Sequence, residues 1–303
     1  MEQISNQKKL RPWMGVLVQA GCLALFVTAG AYMQRNWGQL GLFTSEAMFA
    51  VVSILYCLAR RVKLKEMFPI KKITLRDFFG VILVAGGTIL FSLLAMTISL
   101  IIMPRSFQSE LTGLTDYLYS ENSLWYLLLA AAVMPAICEE TMERGMVLSH
   151  FRSLKKDWMI ALIVGAFFGI MHMSVMRFLT TACGGFFLSL VMTKKNNLLL
   201  PMMMHFLNNG FSVVVGSLTR SLKPVAEATA SSATAGFTTS SAVAAFGAYL
   251  VIGCIAPILI VLGFFLLDPQ GNRGKAGQRL AVAGTFSAIM LVLGMNIVGT
   301  TLF

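Results

Sequence analysis

The chain has 303 residues, 57% apolar and 12% charged, with a formal net charge of +11 and a mean hydropathy of +0.76. Soluble domains carry about 25% charged residues, so this ratio excludes a soluble enzyme, a nucleic-acid-binding module inferred from the charge, and a secreted disulfide scaffold. It predicts an all-α, polytopic transmembrane helical bundle that forms a single integral-membrane domain over residues 1–303.

Nine apolar stretches follow in chain order, and most are long enough to cross ~30 Å of hydrocarbon. They run near Met14 to Met33, Leu42 to Leu58, Phe78 to Met103, Leu124 to Met146, Met159 to Met176, Phe178 to Met192, Leu198 to Leu218, Ala242 to Leu267 and Leu280 to Leu302. The second and sixth are short, which sets the expectation at about eight to nine spans. The first follows a basic tail, but its length exceeds the 7 to 15 residues usual for a signal-peptide core, so it reads as a retained span. Between the seventh and eighth, residues 226–241 are rich in Ser, Thr and Ala and read as a flexible loop.

Basic residues alternate between connections. Lys8, Lys9 and Arg11, the seven between Arg60 and Arg76, Arg152/Lys155/Lys156, Lys194/Lys195 and Arg273/Lys275/Arg279 hold 18 of the 24 Lys and Arg. Under the positive-inside rule these connections are cytoplasmic. The N-terminus is then inside and the C-terminus outside. The positive charge is thus mainly a topology signal, with anionic lipid contact second. Five cysteines, all within spans and without a CxxC pair, indicate neither a disulfide nor a thiolate metal site.

An ionisable side chain at mid-bilayer costs roughly 2.5 to 3.5 kcal/mol, so polar residues within spans are informative. Glu139, Glu140, Glu143 and Arg144 cluster in the fourth stretch, His172 lies in the fifth, and His205, Asn208 and Asn209 lie in the seventh. Helical spacing sorts them. Glu140 and Arg144 form an i,i+4 pair with the acid first, the favourable orientation for a structural ion pair. Glu139 points elsewhere and is free to meet other helices. Glu143 shares its face and is expected to be solvated at the cytoplasmic mouth. His205 and Asn209 share one face, as do Phe168 and His172.

A carboxylate, two imidazoles and an amide can thus converge on one polar cavity and hydrolyse a bond. The carboxylate takes a proton from water, one His holds that water, and the other His with Asn donates to the oxyanion. At ~1.5 Å per residue, Glu139 lies roughly 8 Å from the cytoplasmic border and His205 about 10 Å. His172 comes out nearer 20 Å, which requires either a tilted fifth helix or a different boundary. Pro135, one turn before Glu139, is expected to open the helix locally. His150 is expected to meet the C-terminal end of the fourth helix.

These residues resemble the CPBP intramembrane endopeptidases, which include the type II CAAX prenyl proteases and the Abi proteins linked to bacteriocin processing and immunity. EExxxR is Glu139-Glu140-Thr141-Met142-Glu143-Arg144, FxxxH is Phe168 to His172, and HxxxN is His205 to Asn209. The family-like core covers residues 124–218. The resemblance implies a glutamate-dependent endopeptidase without a cofactor, acting on a peptide or protein substrate at the bilayer. By it, Glu139 and His172 activate water, His205 and Asn209 stabilise the oxyanion, and Arg144, with Glu140, is structural. Eukaryotic members trim prenylated CAAX proteins, whereas bacterial relatives usually have no prenylated substrate. The compact chain looks more like a bacterial plasma-membrane member.

Three alternatives stand beside this. Zinc on the same Glu/His/His set would also make a protease, although HExxH is absent. Buried Glu and His residues can serve a transporter, which predicts inverted repeats not visible here. A silent scaffold or immunity protein would use the same groups as glue between helices. No feature points to nucleic acid or fixes an oligomeric state.

Overall fold

The computed structural model describes residues 10–104, 106, 123–229, 239–271 and 274–302. Among them there is no strand. The helices are α1 (Pro12–Asn36), α2 (Gly38–Ala59), α3 (Leu75–Ile102), α4 (Leu124–Val147), α5 (Asp157–Met171), α6 (Val175–Lys195), α7 (Leu199–Thr229), α8 (Thr239–Gly253), α9 (Ala256–Leu267) and α10 (Ala276–Leu302). Helices α8 and α9 together make one span, and among the described residues eight spans are long and apolar enough to cross a membrane. Most of the expected loop at 226–241 lies outside the described residues.

The short stretch is the fifth, not the second or sixth. Helix α2 has 22 residues and α6 has 21, whereas α5 has 15, about 22 Å of rise. The apolar run does not continue to Met176. It breaks at Met173, whose φ of +49° is left-handed, and Ser174 then caps α6 by accepting the Arg177 N–H.

Helices α5 and α6 form a tight hairpin because glycine lines their contact, as expected where lipid supplies no hydrophobic drive between helices. A Cβ on Gly165 would sit 2.7 Å from Phe186 N and 2.9 Å from Ala182 O, both backbone atoms. One on Gly185 would sit 2.9 Å from Phe168 Cβ. Gly165→Val is therefore expected to destabilise the protein by about 1–3 kcal/mol and to lower activity with it. Unfolding in detergent measures this, and a wild-type midpoint would refute the packing argument.

Ion pairs fix which helix ends lie together. Lys194 Nζ meets Asp157 at 2.7 Å and Asp268 at 3.7 Å, and Lys195 Nζ meets Asp77 at 2.7 Å. The starts of α3 and α5 and the ends of α6 and α9 therefore share one end of the bundle. Asp77 also closes a capping box with Thr74 at the start of α3. Asn197, just before α7, bonds both backbone groups of Lys71, which brings in the Arg60–Arg76 connection. At the same end Phe151 and His150 crowd Gly15 of α1.

The connections expected to be basic thus gather on one face. All four tryptophans are exposed and lie at helix ends: Trp13 and Trp158 at the basic end, Trp37 and Trp125 at the other. This is the pattern of two interfacial belts.

His150, just beyond α4, donates from Nδ1 to Met146 O at 2.9 Å, the helix-end contact expected. Burial pushes its pKa down, so the neutral ring accepts at Nε2 from the Tyr56 hydroxyl of α2 at 2.8 Å.

Candidate active site

Helix α4 is not uniform. Two stretches of wide π-type turn, Leu129–Val133 and Thr141–Val147, flank the α-helical Met134–Glu140. Pro135 has no N–H to return to the preceding turn. Ala131 O, four residues back, accepts instead from Asn209 Nδ2 of α7 at 3.0 Å. The amide of the HxxxN motif therefore clamps α7 to the bend just ahead of the two glutamates. An amide has two N–H donors, and this bond uses one.

Glu140 is held from within the bundle through one carboxylate oxygen, its Oε2 having no hydrogen-bond partner among the described residues. Its Oε1 accepts from Arg144 Nη1 at 2.8 Å and from His205 Nδ1 at 2.8 Å. Arg144 Nη2 donates to Gly185 O of α6 at 3.0 Å, and its Cζ lies 4.6 Å from the centre of the Phe168 ring. Both side chains are fully buried. This cluster ties α4, α5, α6 and α7 together. It joins Glu140 and Arg144 in the i,i+4 ion pair that helical spacing suggested.

Phe168 spans the difference in depth that separated His172 from the rest. Its ring meets His172 edge-on at 4.8 Å and His205 at 5.7 Å. His172, one turn further along, donates from Nδ1 to Phe168 O at 2.8 Å. A carbonyl only accepts, so the neutral ring carries its proton on Nδ1 and offers Nε2 as a lone pair. His172 immediately precedes the left-handed Met173, and such backbone strain clusters at functional positions.

Glu139 differs from its neighbour. Its side chain is 16% exposed and Oε2 lies 3.9 Å from His205 Nε2, close enough for charges to interact and too far for a hydrogen bond. That oxygen has no hydrogen-bond partner among the described residues. The structure thus groups Arg144, His172 and His205 around Phe168, with Glu140 bonded to Arg144 and His205, Glu139 beside His205, and Asn209 at the adjoining bend of α4. A separate apolar crevice of about 600 Å³, lined by Phe91, Phe187, Ile260, Phe286 and Met290 among others, contains none of these residues.

One expectation is overturned. Glu143 is not solvated at a mouth: it is fully buried and accepts from Gln19 Nε2 of α1 at 2.9 Å. The wide turns after Glu140 rotate position 143 away from the Glu139 face that a 3.6-residue period gives it.

Sequence reasoning also missed Glu46 of α2, which lies within electrostatic range of Glu139. The signal was present, since Glu46 is the only charged residue in α2 and an intramembrane acid marks function by default. Among the described residues no three His, Cys, Asp or Glu side chains gather as metal ligands. Both site histidines have Nδ1 committed, so only Nε2 of each faces the site.

Residues 121–211 match the family described as type II CAAX prenyl endopeptidase Rce1-like. No curated protein and no solved structure matches the chain. The matched segment holds all three motifs, and it supports assignment to the CPBP/CAAX protease family. The chain is a multi-pass membrane protein, and its segment 121–211 is similar to CAAX-type intramembrane proteases, a class whose substrates are peptides or proteins at the membrane.

Proposed function

We propose that the protein is a glutamate-dependent intramembrane endopeptidase that hydrolyses a peptide bond near the cytoplasmic side of a bacterial plasma membrane. Glu139 is the general base. It takes a proton from a water that His172 Nε2 also holds as acceptor, and the resulting hydroxide attacks the scissile carbonyl. The oxyanion is stabilised by His205 and by the second N–H of Asn209. Because His205 Nδ1 already donates to Glu140, an oxyanion role requires a proton on Nε2 as well, so His205 acts as the imidazolium. Glu139 then returns its proton to the departing amine. Glu140 and Arg144 hold His205 and the helices in place. The basic end of the bundle is cytoplasmic by the positive-inside rule, which sets the N-terminus inside.

The observation that carries this reading is the division of labour between adjacent carboxylates. Glu140 is fully buried and its Oε1 is held by Arg144 and His205, whereas Glu139 is 16% exposed and its Oε2, 3.9 Å from His205 Nε2, accepts no hydrogen bond among the described residues. The test is cleavage of membrane-inserted peptides by purified protein in liposomes, with and without a chelator. Cleavage is expected, and chelation is expected to leave its rate unchanged. Stoichiometric zinc in the purified protein, with activity lost on its removal, would favour zinc on the same Glu/His/His set. Absence of cleavage from a broad set of such peptides would favour a transporter or immunity protein.

A further inference from the structure

Glu46 lies outside the matched segment, and the mechanism above does not use it. Helix α2 packs along Met134–Glu140 and Thr141–Val147 of α4. There Glu46 interacts electrostatically with Glu139, and Cys138 experiences both carboxyl groups. Oε2 of Glu46, like Oε2 of Glu139, is buried without a hydrogen-bond partner among the described residues. No ion pair joins Glu46 to a Lys, Arg or His there. Arg144 and His205, which act electrostatically on Glu139, both donate to Glu140, Arg144 from Nη1 and His205 from Nδ1.

Two carboxylates within electrostatic range of each other inside an apolar bundle repel strongly, and His205 stands beside Glu139 while no ion pair among the described residues serves Glu46. The repulsion becomes an attraction when one of them keeps its proton and donates it to the other, as in paired-carboxyl sites.

We propose that Glu46 is a positioning residue for Glu139: its carboxylic acid O–H donates to the Glu139 carboxylate and fixes the orientation of the oxygen that receives the proton of water. The inference rests on the reading of Glu139 as base. It extends the functional unit beyond residues 121–211 and assigns α2 a part in the reaction. Glu46 touches neither water nor peptide. Its effect therefore falls on kcat through the geometry of Glu139, and not on KM.

The test compares Glu46→Gln with Glu46→Leu in full-length protein in liposomes, measuring kcat, KM and melting temperature. Gln keeps an N–H donor at the same reach, whereas Leu fills the space without one. Glu46→Leu is expected to lose about tenfold to a hundredfold in kcat at unchanged KM. Glu46→Gln is expected to stay within about threefold of wild type. Wild-type kcat in Glu46→Leu, or a Gln variant as slow as the Leu variant, overturns the proposal. Should Glu46→Leu fail to fold, the Gln variant decides alone: near-wild-type kcat supports a donor and a tenfold loss overturns it. Glu139→Ala is assayed in parallel. Activity in that variant would sink the general-base reading itself, whereas an inactive Glu139→Ala beside a fully active Glu46→Leu would sink only this inference.

Discussion

Replacing Glu139 by alanine is expected to reduce kcat by about 10²- to 10⁴-fold, the usual contribution of a general base, while the protein stays folded. The carboxylate accepts no hydrogen bond at Oε2 and its one ion contact, to His205, is long at 3.9 Å, so its removal breaks no structural link. A base acts on the transition state, so kcat and kcat/KM are expected to fall together and KM to stay constant. Cleavage kinetics in liposomes beside a melting curve checks this. A Glu139→Ala enzyme within threefold of wild type would remove the base from the account.

The opposite pattern is expected for Arg144. Its guanidinium is fully buried, bonds Glu140 and Gly185, and lies over Phe168. Arg144→Met leaves Glu140 with a buried charge that His205 alone must offset, and loosens the contact with α6. Breaking one half of such a pair costs about 3–5 kcal/mol. The double variant Glu140→Gln/Arg144→Met leaves no uncompensated charge and is expected to be more stable than Arg144→Met. Unfolding in detergent of the two single variants and the double variant measures the coupling. Equal melting of Arg144→Met and wild type would show that the pair does not hold the helices together.

The contrast between Glu139 and Glu140 was legible in the sequence because it depends on one helix. An i,i+4 acid–base pair is visible in the chain order, and the structure adds its third and fourth partners, His205 and Gly185. The spans were legible for the same reason, since hydrocarbon thickness and helical rise convert apolar runs into crossings.

What escaped depends on contacts between helices or on departures from the regular period. The break at Met173 lies in a stretch without proline or formal charge, between His172 and Ser174, and only the glycine-lined contact of α5 with α6 gives it a place. Glu143 was misplaced because its helix opens into wide turns after Glu140, which a 3.6-residue period does not describe. Phe168 was recognised as sharing a face with His172. Its role as the ring on which Arg144, His172 and His205 all rest required the three helices to be assembled. Glu46 carried a visible signal, a lone acid in an apolar helix, but Glu139, within its electrostatic range, lies 93 positions away.

A structure of the protein with a peptide phosphonate, a stable mimic of the tetrahedral intermediate, tests the central claim most directly. One phosphonate oxygen is expected within hydrogen-bond reach of His205 Nε2 and Asn209 Nδ2, and another between Glu139 and His172 Nε2. A phosphonate seated elsewhere, or one whose oxygens meet a metal ion in place of these four side chains, would contradict it.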